Sequence, residues 1–81
     1  MSNDTESIFK TLDARGTLCP LPVILAQKAI QELPVGEVLE ILATDAGSVG
    51  DIPAWARNTG QVIVDASEEQ GVYRFLVKRK K

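Results

Sequence analysis

Apolar and polar positions follow two periods along the chain, and the switches between them mark the elements. Residues 1–7 are polar and predict a flexible N-terminal tail. Residues 8–12 carry β-branched and aromatic side chains in rough alternation, with Ile8 and Leu12 on one face, and predict a first strand. Over residues 20–33 the period lengthens to that of a helix. Val23, Leu25, Ala26, Ala29, Ile30 and Leu33 share one broad face, opposite Gln27, Lys28, Gln31 and Glu32. Ile24 falls on the polar side, either as a scattered exposed residue or as part of a docking surface. Pro34 and Gly36 then stop the helix.

Residues 37–44 are apolar on both faces, which suits a central strand. After the Asp45-Ala46-Gly47 turn a second helical pattern places Val49, Ile52, Trp55 and Ala56 together. Ser48 and Asp51 resemble a capping box, and Pro53 requires this helix to start near Asp51 or to bend. Gly60 fits a left-handed stop. Residues 61–66 and 72–78 alternate as two strands joined by a loop over 67–71. Val62, Val64 and Ala66 share one face, and Tyr73, Phe75 and Val77 share another, as in a hairpin laid over the core. The order is βαβαββ. Right-handed crossovers put both helices on one face of a mixed four-stranded sheet, an α+β two-layer sandwich. The apolar Val38, Leu42 and Leu76 are candidates for the other, outer face, where they would offer a partner surface.

Composition changes this picture little. At 81 residues the chain has room for one core, a single domain over 8–78 followed by a basic tail at 79–81. A net charge of −2 offers no general attraction to nucleic acid or anionic lipid, so direct nucleic-acid binding is not expected. No apolar run approaches the ~20 residues that span a bilayer, and the N-terminus carries no secretion signal. With one cysteine there is no internal disulfide, and the cytoplasm is the expected location. The sequence has no histidine, which leaves no conventional zinc site and no Cys-His or Ser-His pair.

The chemistry therefore rests on Cys19, within Arg15-Gly16-Thr17-Leu18-Cys19-Pro20-Leu21-Pro22. Pro20 suits the first helical position, and a residue before proline is pushed out of the α region, so Cys19 is expected to cap the helix. Pro22 is tolerated in the same first turn. A thiol there faces the positive end of the helix and its free N–H groups, chiefly that of Leu21, and Arg15 is near enough in sequence to approach. Both effects favour the thiolate. The commonest fate of a free cysteine is burial as a small hydrophobe, but prolines bracketing a helix start favour a reactive thiol. With no resolving cysteine a dithiol cycle is excluded within the chain. What remains is transfer: the thiolate accepts a group and passes it on, and a persulfide sulfur fits without any cofactor.

At this point the residues resemble a known family. Leu12-Asp13, Gly16, Cys19-Pro20-Leu21-Pro22, then Pro34-Val35-Gly36-Glu37, then Asp51-Ile52-Pro53 look like the TusA (SirA-like) sulfur carriers. The resemblance implies the same βαβαββ sandwich. It implies that Cys19 takes persulfide sulfur from a cysteine desulfurase or another sulfurtransferase and relays it to a downstream relay protein, as a carrier that does not turn over alone. The route can lead to thiolation of tRNA wobble uridine, to sulfur oxidation or to molybdenum-cofactor supply. Pro20, Pro22 and Leu21 would shape the site, Asp13 and Gly16 belong to the matching loop, and Asp45 and Asp51 to a second acidic stretch. Two departures, Asp45-Ala46 where paired acids are frequent and Arg15 where a small or apolar residue is common, bear on the partner. The competing classes are a non-catalytic binding or regulatory module with a structural cysteine and a working basic tail, and a redox sensor whose thiol is oxidised.

Overall fold

A computed structural model describes residues 8–18 and 20–81. Within them the order is β1 (Ile8–Ala14), α1 (Leu21–Ile30), β2 (Val38–Ala43), α2 (Ser48–Thr59), β3 (Val62–Glu69) and β4 (Val72–Lys78). The expected βαβαββ order is the one observed. The sheet runs β1-β2-β4-β3, with β1 and β2 parallel and the β2–β4 and β4–β3 pairs antiparallel. The two helices contribute Ala26, Ala29, Ile30, Ile52, Trp55 and Ala56 to a core completed by Leu39, Ile41, Phe75 and Val77 of the two central strands. Ile41 lies opposite Phe75 and Leu39 opposite Val77, so the inward rows of β2 and β4 meet as cross-strand pairs.

On the helix-free face the register sets Glu40 beside Leu76 and Thr11, and Leu42 beside Arg74. Val38, Leu42 and Leu76 thus belong to that face, although Val38 and Leu76 are themselves buried. A polar bridge crosses it: Thr11 Oγ1 donates to Glu40 Oε1 at 2.7 Å, and Arg74 pairs with the other Glu40 oxygen. Burial pushes the Glu40 carboxyl up, but the Arg74 and Thr11 hydrogen bonds outweigh it and the net direction is down.

Four sequence expectations require correction. The pairing of β3 with β4 slips between Ile63 and Asp65, which leaves Val64 without a partner and reverses the face of every later residue in the strand. Ile63 packs on the core, whereas Val62 and Val64 are exposed, so the simple alternation through Val62, Val64 and Ala66 fails. The hairpin is tighter than a five-residue loop: β3 runs on to Glu69, and Gln70 and Gly71 turn the chain with φ of 54° and 82°. Positive φ at both central residues is the type I′ signature. In α2 the helix starts at Ser48 with Pro53 inside it, Val49 is exposed, and Ser48 makes no cap. The Ser48 hydroxyl is buried without a hydrogen-bond partner among the described residues.

β1 is also irregular, slipping register between Ile8 and Lys10. Arg79 holds the chain after β4. Its N–H donates to the Glu37 carbonyl at 2.9 Å and its carbonyl accepts from Gly36 N at 2.7 Å, extending the β2–β4 ladder. Its guanidinium donates to the carbonyls of Gln31 and Leu33, at the end of α1 where the helix leaves carbonyls unsatisfied. Gln61 Oε1 accepts from Lys80 N at 2.8 Å, and the Lys81 side chain lies against Gly60, the left-handed cap of α2. The basic segment 79–81 is therefore fastened across the C-terminal ends of both helices. Lys80 and Lys81 stay exposed, but the chain that carries them is held in place.

Candidate functional site

Because β1 and β2 are parallel, their C-terminal ends lie together, and each leads through a short connection into a helix. That edge is where parallel α/β units generally place chemistry. Gly16, at φ 81°, turns the first connection, and the Thr17 N–H returns to the Ala14 carbonyl at 3.3 Å. The Gly16 N–H donates to Thr44 Oγ1 at 2.9 Å, which ties this connection to the one after β2. The Asp45 carbonyl in turn accepts the Ser48 N–H at 2.9 Å and starts α2.

Cys19 lies outside the described residues, and its expected capping role with it; Leu18 and Pro20 on either side are described. Pro20 occupies the cap of α1, one place earlier than the first helical position expected for it, and its carbonyl accepts from Ile24 N at 3.2 Å. Pro22, at the second helical position, is buried. The Leu21 N–H is not free. It donates to the Leu18 carbonyl at 2.9 Å, and Val23 N donates to Pro20 O at 3.1 Å. Since Pro22 has no donor, the first turn of α1 presents its dipole with its first N–H groups already engaged.

Arg15, expected to approach the thiol, is paired with Asp13. Its Nε and Nη2 each donate to Asp13 at 2.8 Å, a two-pronged pair on an exposed surface, and its backbone N–H adds a third bond at 3.1 Å. These Arg15 hydrogen bonds hold the Asp13 carboxyl at about 2. Arg15 also borders a cavity of about 410 Å³ with Leu42, Ser67, Glu69, Gln70, Val72 and Arg74, residues that place it on the helix-free face.

The residues singled out in the sequence thus separate. Asp13 and Arg15 pair with each other beside the open sheet. Pro20 and Asp51 meet in a shallow groove of about 420 Å³ between the two helices, with Val23, Ala54, Trp55 and Asn58. Trp55 is a core residue whose Nε1 donates to Gln27 Oε1 at 2.8 Å, fixing one helix against the other. Ala54 and Asn58, which complete the groove, went unmarked in the sequence. A signal for Asn58 was available, since Asp51, Trp55 and Asn58 are spaced four and three apart along one helix face. Among the described residues no group of acids is placed to hold a metal ion, and no helix is long and apolar enough to cross a membrane.

Compared with known proteins, the sequence profile of the family described as Sulfurtransferase TusA matches residues 10–79. The chain belongs to the TusA family of sulfur carriers. It is 44% identical over 68 residues to the sulfur carrier protein TusA of Allochromatium vinosum, covering 84% of this chain and 90% of that one. A candidate sulfur carrier protein of Neisseria meningitidis is 48% identical over 71 residues, 88% of this chain and 96% of the other. Among solved structures, a SirA-like protein from Desulfitobacterium hafniense superposes with a TM-score of 0.78 at 29% identity, covering 90% of this chain and all of that one. The two-layer sandwich expected from the βαβαββ pattern is therefore the fold of a relative as well. The chain is a sulfur carrier, and its work involves a donor and an acceptor of sulfur.

Proposed function

We infer that Cys19 is the residue that carries the sulfur, as a persulfide. One observation carries the reading: a member of a sulfur-carrier family holds a single thiol in its whole sequence, and no histidine. Every other side chain lacks a sulfur that can be attacked and released, the Met1 thioether included. In the step proposed, the Cys19 thiolate attacks the outer sulfur of a donor persulfide. The new S–S bond forms on Cys19, the donor's S–S bond breaks, and the donor leaves as a thiolate. Release is the same exchange with an acceptor thiolate, so no oxidant or reductant is consumed. A cysteine desulfurase or another sulfurtransferase is the donor, and a downstream relay protein is the acceptor, with tRNA 2-thiouridine formation among the routes. The cytoplasm, where thiols stay reduced, suits this exchange.

The test is intact-protein mass spectrometry after incubation with a cysteine desulfurase, cysteine and labelled sulfur. The protein gains one sulfur atom, loses it to a reductant, and gains none as Cys19→Ser. A chain that stays unmodified with every competent donor, or a Cys19→Ser variant that still takes sulfur, overturns the reading.

A further inference from the structure

Three of the large apolar side chains left exposed by the fold cluster within a seven-residue stretch around Cys19: Leu18 at 75% exposure, Leu21 at 41% and Ile24 at 57%. Leu21 and Ile24 are one helical turn apart on α1 and share its outward face. Lys28, the first charge along that face, lies about 10 Å beyond Leu21. The features that could make this surface polar are already engaged. Arg15 is neutralised by Asp13, the Leu21 N–H is taken by the Leu18 carbonyl, and Pro20 and Pro22 have no N–H to offer. The outward surface of residues 18–24 is thus an apolar collar whose first helical turn offers neither a charge nor a free backbone donor, with Asp51 beside Pro20 on the inter-helix side.

Sulfur exchange brings two sulfur atoms into bonding contact, so any protein that exchanges with Cys19 must cover its immediate neighbours. We propose that Leu18, Leu21 and Ile24 form the docking surface for the sulfur-exchanging protein, and that this partner presents an uncharged, apolar rim around its own cysteine. The proposal rests on the assignment of sulfur transfer to Cys19 and adds the chemistry of recognition. Three side chains make a small patch, well below the roughly 1,200–2,000 Å² of a durable complex. They suit an encounter that lasts long enough for exchange and then dissociates. Because the attraction is hydrophobic, it is insensitive to ionic screening.

The experiment measures labelled-sulfur transfer from a cysteine desulfurase to the full chain, with each rate divided by the same variant's iodoacetamide alkylation rate. This ratio removes any change in the thiol itself. Ile24→Gln and the double variant Leu21→Gln/Ile24→Gln keep side-chain length and helix propensity while removing apolarity. The double variant loses about 10- to 100-fold in normalised transfer. Val35→Gln, an exposed apolar residue beyond the far end of α1, changes it by less than about twofold. Wild-type transfer also holds within about twofold between about 50 and 500 mM salt. A double variant that transfers at the wild-type rate overturns the proposal, as does a wild-type rate that collapses with salt. So does sedimentation showing that the collar holds two copies of this chain together while transfer is unaffected. Absence of any sulfur uptake by the wild type counts against the assignment to Cys19 itself, a separate outcome.

Discussion

At the level of single residues, the fold gives Arg15 and Ser48 surroundings that residue types alone do not announce. Arg15 is close to Cys19 in sequence, but Asp13 is two residues away on the other side and accepts both prongs of its guanidinium. The Asp13 carboxyl therefore titrates at about 2, below the ~3.9 of a free aspartate. Its folded value is depressed, so any stabilisation from the pair is complete above the unfolded value and disappears as pH falls through about 2. NMR titration of the Asp13 side chain checks the midpoint, and Arg15→Ala should return it to the ordinary range. The same variant should shift the pH midpoint of Cys19 alkylation by less than about half a unit, because a neutralised exposed charge reaches little beyond its partner. A large upward shift would show that Arg15 does act on the thiol. Ser48 is the second case. Ser48 and Asp51 read as a capping box, but the hydroxyl is buried and unpartnered among the described residues. Removing it in Ser48→Ala should raise stability by about 1 kcal/mol and the melting temperature by roughly 4–8 °C. A loss of stability in thermal or urea unfolding would mean that the hydroxyl is satisfied in solution.

At the level of elements, most of the order was legible because helix and strand periods are long signals. The α1 face through Ala26, Ala29, Ile30 and Leu33 is buried as its spacing demands, and the doubly apolar β2 is central in the sheet. Features that turn on a single residue were not legible. One unpaired residue at Val64 reverses the inward face of β3, and no local composition announces it. The two-residue turn was hidden because Gln70 is an unusual occupant of a positive-φ position, where asparagine or glycine is the familiar sign. At the site, Cys19, Pro20 and Pro22 could be singled out from the order of residue types. The division of Asp13 and Arg15 from Pro20 and Asp51 could not, since it depends on which side of the sheet each faces. The Arg79 bridge belongs to this scale, because it ties the end of β4 to the end of α1. Arg79→Ala removes charge-assisted bonds to the carbonyls of Gln31 and Leu33 and should cost about 1–3 kcal/mol in urea unfolding. Arg79→Lys should recover only part of that, because an ammonium cannot reproduce the planar fork. A change below about 0.5 kcal/mol for Arg79→Ala would reduce the bridge to a surface contact.

Across the whole molecule, the two ends of the sandwich divide the labour. One end carries the connections joined by Gly16 and Thr44, the start of both helices and the apolar collar. The opposite end is fastened by residues 79–81 across both helix C-termini. A charge count alone marks that segment as a basic tail, because composition does not reveal that the carbonyls ending α1 lie beside Arg79. The slips at Phe9 and Val64 have a further consequence. β1 and β3 are the two outer strands, and each carries one residue out of register with its inner neighbour. An uninterrupted outer strand invites a foreign chain to lie alongside it and join the ladder, the route to both indiscriminate pairing and fibrils. Here both borders are broken, and that of β3 also carries Asp65, Glu68 and Glu69. A protein that must leave apolar side chains uncovered for a brief exchange is thereby kept from adhering along its flanks.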